Sequence, residues 1–129
     1  MKRLVLELEL QDLTIFLVHL SLPFRVRHHQ LTSLCRIVKG AKKPHIVAGD
    51  FNSFFGAHEL ELFRTAVGLT SADPEERPTF PSWAPKHQLD FILYSPGIKI
   101  KSFKVPDVDY SDHLPLVCDI EVENKKSHR

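Results

Sequence analysis

The run Leu13-Thr14-Ile15-Phe16-Leu17-Val18-His19-Leu20 is apolar on both faces, so it reads as a central strand of a sheet. Toward the N-terminus, Leu4, Leu6, Leu8 and Leu10 alternate with Val5, Glu7 and Glu9. That is period two, a strand with one wet face. Only Gln11-Asp12 separates the two runs, so they are expected to pair as a hairpin. The opening residues resemble a signal peptide briefly, but Glu7 and Glu9 interrupt the apolar run and no small-residue cleavage site follows.

Toward the C-terminus, Ser21-Leu22-Pro23 is a loop whose proline suits the start of a helix. Leu31, Leu34, Cys35 and Val38 then recur at helical spacing, and Gly40 stops the helix behind Arg36 and Lys39. Pro44 to Gly49 reads as a short buried strand. If the helix is a crossover, this strand ends beside His19. Residues 59–67 predict a second helix, with Leu60, Phe63 and Val67 on one face. Four prolines between residues 70 and 88 predict a long ordered loop. Strands follow over residues 89–94, 98–105 and 114–122, with loop over 106–112 and a charged, frayed tail from Asn124.

The 129 residues are 43% hydrophobic, enough for one packed domain. No apolar stretch is long enough to span a bilayer. Seventeen Lys and Arg against sixteen Asp and Glu neither select nor exclude a nucleic-acid partner. Cys35 and Cys118 lie far apart in apolar stretches and read as buried thiols in a reducing compartment, so a cytoplasmic location is expected.

Chemistry-bearing residues cluster at strand ends. Gly49-Asp50-Phe51-Asn52 presents a carboxylate and a carboxamide after a buried strand, although alone it reads equally well as a turn. Asp90 leads into the apolar strand Phe91-Ile92-Leu93, and burying its charge without a partner is costly. A histidine N–H would satisfy it, and His113 is the natural donor. An Asp–His pair of this kind fixes the imidazole tautomer. In Ser111-Asp112-His113 the last two residues point to opposite sides of an extended segment, so Asp112 and His113 can serve separate purposes. His19, near the end of the central strand, is by default a structural histidine; its place beside the Gly49 strand makes it a candidate.

His19-Leu20, Gly49-Asp50-Phe51-Asn52, the strand Leu89-Asp90-Phe91-Ile92-Leu93 and Ser111-Asp112-His113-Leu114-Pro115 together resemble the endonuclease/exonuclease/phosphatase superfamily in order and spacing. That superfamily includes deoxyribonuclease I-like nucleases, neutral sphingomyelinases and inositol polyphosphate phosphatases. The resemblance covers residues 4 to 122. It implies an α/β (α+β) fold: half of a deoxyribonuclease I-like β-sandwich, one mixed sheet of about six strands with two helices on its outer face. Residues 1–123 would form the C-terminal half of such a domain, and residues 124–129 a tail.

The resemblance also implies roles. His113 looks like the catalytic histidine and Asp90 like its carboxylate partner. Asp50 and Asn52 look like the pair that positions the attacking water and contacts phosphoryl oxygens, and His19 like a second histidine. Asp112 and Asp50 are the implied metal-site carboxylates, suited to Mg²⁺ or Mn²⁺. Thr79 and Phe80, with Asn52, resemble a substrate-side segment. The implied reaction is metal-dependent hydrolysis of a phosphodiester in a nucleic acid, a lipid headgroup or a small phosphoester.

A complete domain of this superfamily is roughly twice as long, which one domain can reach. Its first half carries an asparagine and a glutamate that ligates metal. This chain is therefore expected to be truncated, to expose an apolar inner sheet face, and to be weakly active or inactive alone. It would self-associate or pair with the missing N-terminal half. The alternative is a non-catalytic half-domain that binds a partner through that face.

Overall fold

A computed structural model describes residues 5–54 and 57–123. The tail expected from Asn124, and Leu4 of the first expected strand, lie outside the described residues. The elements are β1 (Leu6–Glu9), β2 (Thr14–His19), α1 (Phe24–Lys39), β3 (His45–Asp50), α2 (Ala57–Val67), β4 (Thr70–Ser71), β5 (Asp90–Tyr94), β6 (Ile98–Lys104) and β7 (Val117–Val122).

Five strands form one mixed sheet in the order β1-β2-β3-β5-β4. β1 and β2 make the expected antiparallel hairpin, with Leu6 opposite Leu17 and Leu8 opposite Ile15. β2 and β3 run parallel, as a helical crossover requires. β5 is antiparallel to β3.

Alternation along β2 sorts its side chains onto two faces. Phe16 and Val18 point to one side and pack with Val47, Phe91 and Leu93 against Leu31, Leu34 and Val38 of α1 and Leu60 and Phe63 of α2. Burying side chains of this size contributes roughly 1.5–3 kcal/mol each, before conformational entropy is set against it. Arg27 is buried between the helices, where its Nε donates to Glu59 Oε1 at 2.7 Å and its Nη1 donates to the Leu22 carbonyl.

The opposite face is only partly covered. Ile98, Ile100, Ile120 and Val122 of the β6–β7 hairpin lie on Leu13, Ile15, Ile46, Ile92 and Tyr94. Leu6, Leu8 and Leu17, on the same face, are 59%, 50% and 42% exposed.

All six expected strands form, but they are shared between two sheets. After Tyr94 the chain turns at Ser95-Pro96-Gly97. Ser95 N–H donates to the His45 carbonyl, and Gly97 takes a positive φ of 96° against Pro44. That turn lifts Ile98 onto the open face, so β6 pairs with β7 instead of joining β5. β4, two residues long, falls in the expected loop. β7 begins at Val117, not Leu114, because Leu114 N–H is taken by the Thr79 carbonyl and Pro115 has no N–H.

Candidate active site

Three neighbouring strands place their terminal residues in one row. His19 ends β2 and pairs with Asp50, which ends β3; Asp50 pairs with Asp90, which begins β5. Laterally paired residues project to one face. Counting by twos assigns that face to Leu17, Ala48 and Ile92, so the row is a rim of the partly open side.

Gly49 makes the row possible. Its φ is 141°, and a Cβ there would lie 1.9 Å from the Val18 carbonyl oxygen, so only glycine lets β3 close on β2. The next turn is held by Asn52, whose φ of 47° lies in the left-handed region that asparagine tolerates. Asn52 N–H donates to Asp50 Oδ1 at 2.8 Å, and its Nδ2 donates to the Leu20 carbonyl at 2.6 Å.

His113 reaches the row from the loop between β6 and β7. Its Nδ1 is 2.6 Å from Asp90 Oδ2, and its Nε2 is 3.7 Å from Asp50 Oδ2. His19 Nε2 lies 3.6 Å from the same Asp50 oxygen. One carboxylate oxygen thus faces two imidazoles. Burial raises the Asp50 pKa above its ordinary value; the Asn52 N–H opposes this and the Asp90 charge adds to it. For His113, burial alone would lower the pKa, but the Asp90 hydrogen bond and the charges of Asp90, Asp50 and Asp112 outweigh it, so it is raised.

The structure therefore brings together His19, Asp50, Asn52, Asp90 and His113. Asp112 is exposed beside this group; Ser111 Oγ donates to its Oδ1 at 3.3 Å, and its charge acts on His113. Among the described residues, the group spaced to share a metal ion is Asp50, Asp90 and His113, with candidate ligand atoms within 4.8 Å of one another. Two carboxylates and an imidazole suit a divalent cation in kind. They supply only part of the six oxygen donors that Mg²⁺ favours.

Phe80 packs its ring 5.0 Å from His113 and 5.6 Å from Phe54, at the edge of the site. Thr79 is fully buried with its hydroxyl on Asp90, not on the open surface. Sequence reasoning missed that bond, and it missed Ser82, which hydrogen-bonds the segment carrying His113. The closely spaced prolines around both residues were the available signal that this loop is ordered.

Residues 8–113 match the Endonuclease/Exonuclease/phosphatase family. Human Nocturnin is 34% identical over 117 residues, covering 69% of this chain and 27% of Nocturnin. A UPF0294 protein of Vibrio cholerae is 35% identical over 100 residues, covering 74% of this chain and 34% of the relative. The chain thus spans about a quarter to a third of the length of these curated relatives. The solved catalytic domain of human Nocturnin with bound sulfate superposes with a TM-score of 0.58 at 30% identity, over 85% of this chain and 46% of that one. The Bacteroides thetaiotaomicron mannosyl-6-phosphatase Bt3783 shares the fold, with a TM-score of 0.68 at 19% identity over 84% and 51% of the two chains. The strand-end row, the paired Asp90 and His113 and these matches agree: the chain belongs to the endonuclease/exonuclease/phosphatase family.

Proposed function

We propose that this chain carries the catalytic rim of a metal-dependent phosphoester hydrolase acting on phosphodiesters. The observation that supports the reading is the hydrogen-bonded Asp90–His113 pair standing over Asp50, with His19 alongside. Hydrolysis needs a positioned water, neutralised phosphoryl oxygens and help for the departing oxygen. Asp50, whose proton affinity burial increases, orders the water with Asn52 and accepts its proton as the new P–O bond forms. His113, whose affinity for a proton Asp90 and the neighbouring carboxylates raise against burial, donates to the departing alkoxide as the old P–O bond breaks. His19, largely exposed, donates to a non-bridging oxygen. Asp50 and Asp112 are the carboxylates we assign to hold a Mg²⁺ or Mn²⁺, which would supply neutralisation of charge on the phosphoryl oxygens. Phe80 borders the substrate.

The substrate is a phosphoester of a nucleic acid, a lipid headgroup or a small molecule. No helix among the described residues is long and apolar enough to cross a membrane. The free thiols Cys35 and Cys118 support placement in a reducing, cytoplasmic compartment.

The test is hydrolysis of bis-p-nitrophenyl phosphate with Mg²⁺ or Mn²⁺. We expect weak turnover that EDTA abolishes and His113→Ala lowers. Turnover indifferent to both would overturn the assignment.

A second reading rests on the open face. Leu6, Leu8 and Leu17 form an exposed apolar strip beside the covered part of the sheet. This favours a chain that self-associates or pairs with an N-terminal half, and it would also suit a non-catalytic half-domain. Size-exclusion across a concentration series checks it: a monomer at every concentration removes self-association, and no turnover in any metal favours the non-catalytic role.

A further inference from the structure

Thr79 is fully buried, yet its hydroxyl belongs to the site. Oγ1 donates to Asp90 Oδ2 at 2.7 Å, and Oδ2 is the oxygen that meets His113 Nδ1. Oγ1 also accepts from Leu89 N–H at 3.2 Å and Asp90 N–H at 3.3 Å. A hydroxyl has one proton and two lone pairs. All three are used inside the protein, so none is left for a substrate. On its other side, the Thr79 carbonyl accepts Leu114 N–H at 2.8 Å, one residue beyond His113. Three residues on, Ser82 N–H donates to the Asp112 carbonyl at 2.8 Å and Ser82 Oγ to the Ser111 carbonyl at 2.7 Å.

We propose that Thr79 is a positioning residue, not a substrate contact: it fixes the rotation of the Asp90 carboxylate and, with Ser82, ties the His113 segment to it. An aspartate carboxylate turns about a broad, twofold torsion. Without a donor from Thr79, Oδ2 is free to swing from Nδ1, and the imidazole loses its orientation. The position of His113 depends on the same short segment, because residues 111–114 lie in irregular backbone outside any ladder. Residues 79–82 therefore grip both members of the pair and set their separation. A purely structural threonine would satisfy the Leu89 and Asp90 amides without affecting the ring. The shared oxygen on Asp90 argues for more than that.

The catalytic consequence rests on the hydrolase reading above; the geometric one does not. Thr79→Val keeps the volume and removes the hydroxyl, and Thr79→Ser keeps the hydroxyl. Proton NMR of the whole chain below neutral pH reads the strongly hydrogen-bonded Nδ1 proton of His113 directly, with assignment by His113→Gln. We expect a far-downfield resonance in the parent and in Thr79→Ser that is lost in Thr79→Val. In the hydrolysis assay, kcat should fall on the order of ten- to a hundredfold in Thr79→Val, with KM within about twofold, and should recover in Thr79→Ser. Circular dichroism confirms that each variant is folded, and Thr79→Ala, which also lacks any donor, substitutes if valine is not tolerated. A folded variant lacking the hydroxyl that keeps the resonance overturns the proposal, as does a parent without the resonance. A parent with the resonance but no turnover removes the hydrolase reading and leaves the assignment of Thr79 standing.

Discussion

Asp90 and His113 are separated by 23 residues in the chain and by 2.6 Å in space. Burial works to lower the pKa of His113, and the Asp90 hydrogen bond with the charges of Asp90, Asp50 and Asp112 raises it above the ordinary 6.5, so Asp90→Asn should drop that pKa below the parent's. Titration of the His113 ring protons by NMR measures this. The parent's raised pKa gives stability that is full below pH 6.5 and is lost as pH rises through the folded value. Denaturation midpoints should therefore fall across that window in the parent and stay flatter in Asp90→Asn. Turnover of Asp90→Asn should drop by roughly 10²–10⁴, the scale seen when a histidine loses its orienting carboxylate.

Gly49 cannot be replaced quietly. Gly49→Ala sets a methyl against the Val18 carbonyl in a backbone conformation that alanine resists. A loss of about 2–4 kcal/mol is expected in urea unfolding, together with loss of activity, because the row of His19, Asp50 and Asp90 depends on β2 and β3 lying flush.

Arg27 and Glu59 form a buried ion pair between the two helices, with Glu59 Oε2 lacking a hydrogen-bond partner among the described residues. Removing one member strands the other charge. Glu59→Leu or Arg27→Met alone should cost about 3–5 kcal/mol, whereas the double change should cost much less. A double-mutant cycle from urea unfolding decides it; additive losses would refute the pairing argument.

Asp73 anchors the proline-rich loop. Burial pushes its carboxyl up, but the Arg77 guanidinium and the N–H groups of Arg77 and Glu75 more than offset this, and the pKa lies below the ordinary 3.8. The resulting stability is present above pH 3.8 and lost as pH falls through the folded value. Asp73→Asn should flatten the acid limb of the stability profile. Arg77 stacks its guanidinium 5.4 Å from the Phe103 ring centre, so the same variant should loosen the loop against β6, visible as faster amide exchange over residues 73–79.

Alternation and helical spacing reveal local order, and both helices and the six longer strands were legible for that reason. The Asp90–His113 pair was legible because a carboxylate entering an apolar strand needs a donor. The Thr79 hydroxyl and the Arg27–Glu59 bridge were not, since each depends on where a loop or a second helix arrives 11 or 32 residues away. The division into two sheets was hidden too. Pairing of β6 with β7 is decided by the Ser95-Pro96-Gly97 turn and by what the isoleucines cover, and neither has a periodicity.

The leucines of β1 and β2 and the row of His19, Asp50 and Asp90 occupy one continuous surface. Any layer laid over Leu6, Leu8 and Leu17 would also border that row. Substrate and cover would then be thermodynamically linked, each raising the other's affinity by the same factor. On the hydrolase reading, selectivity among substrates would belong to both surfaces together.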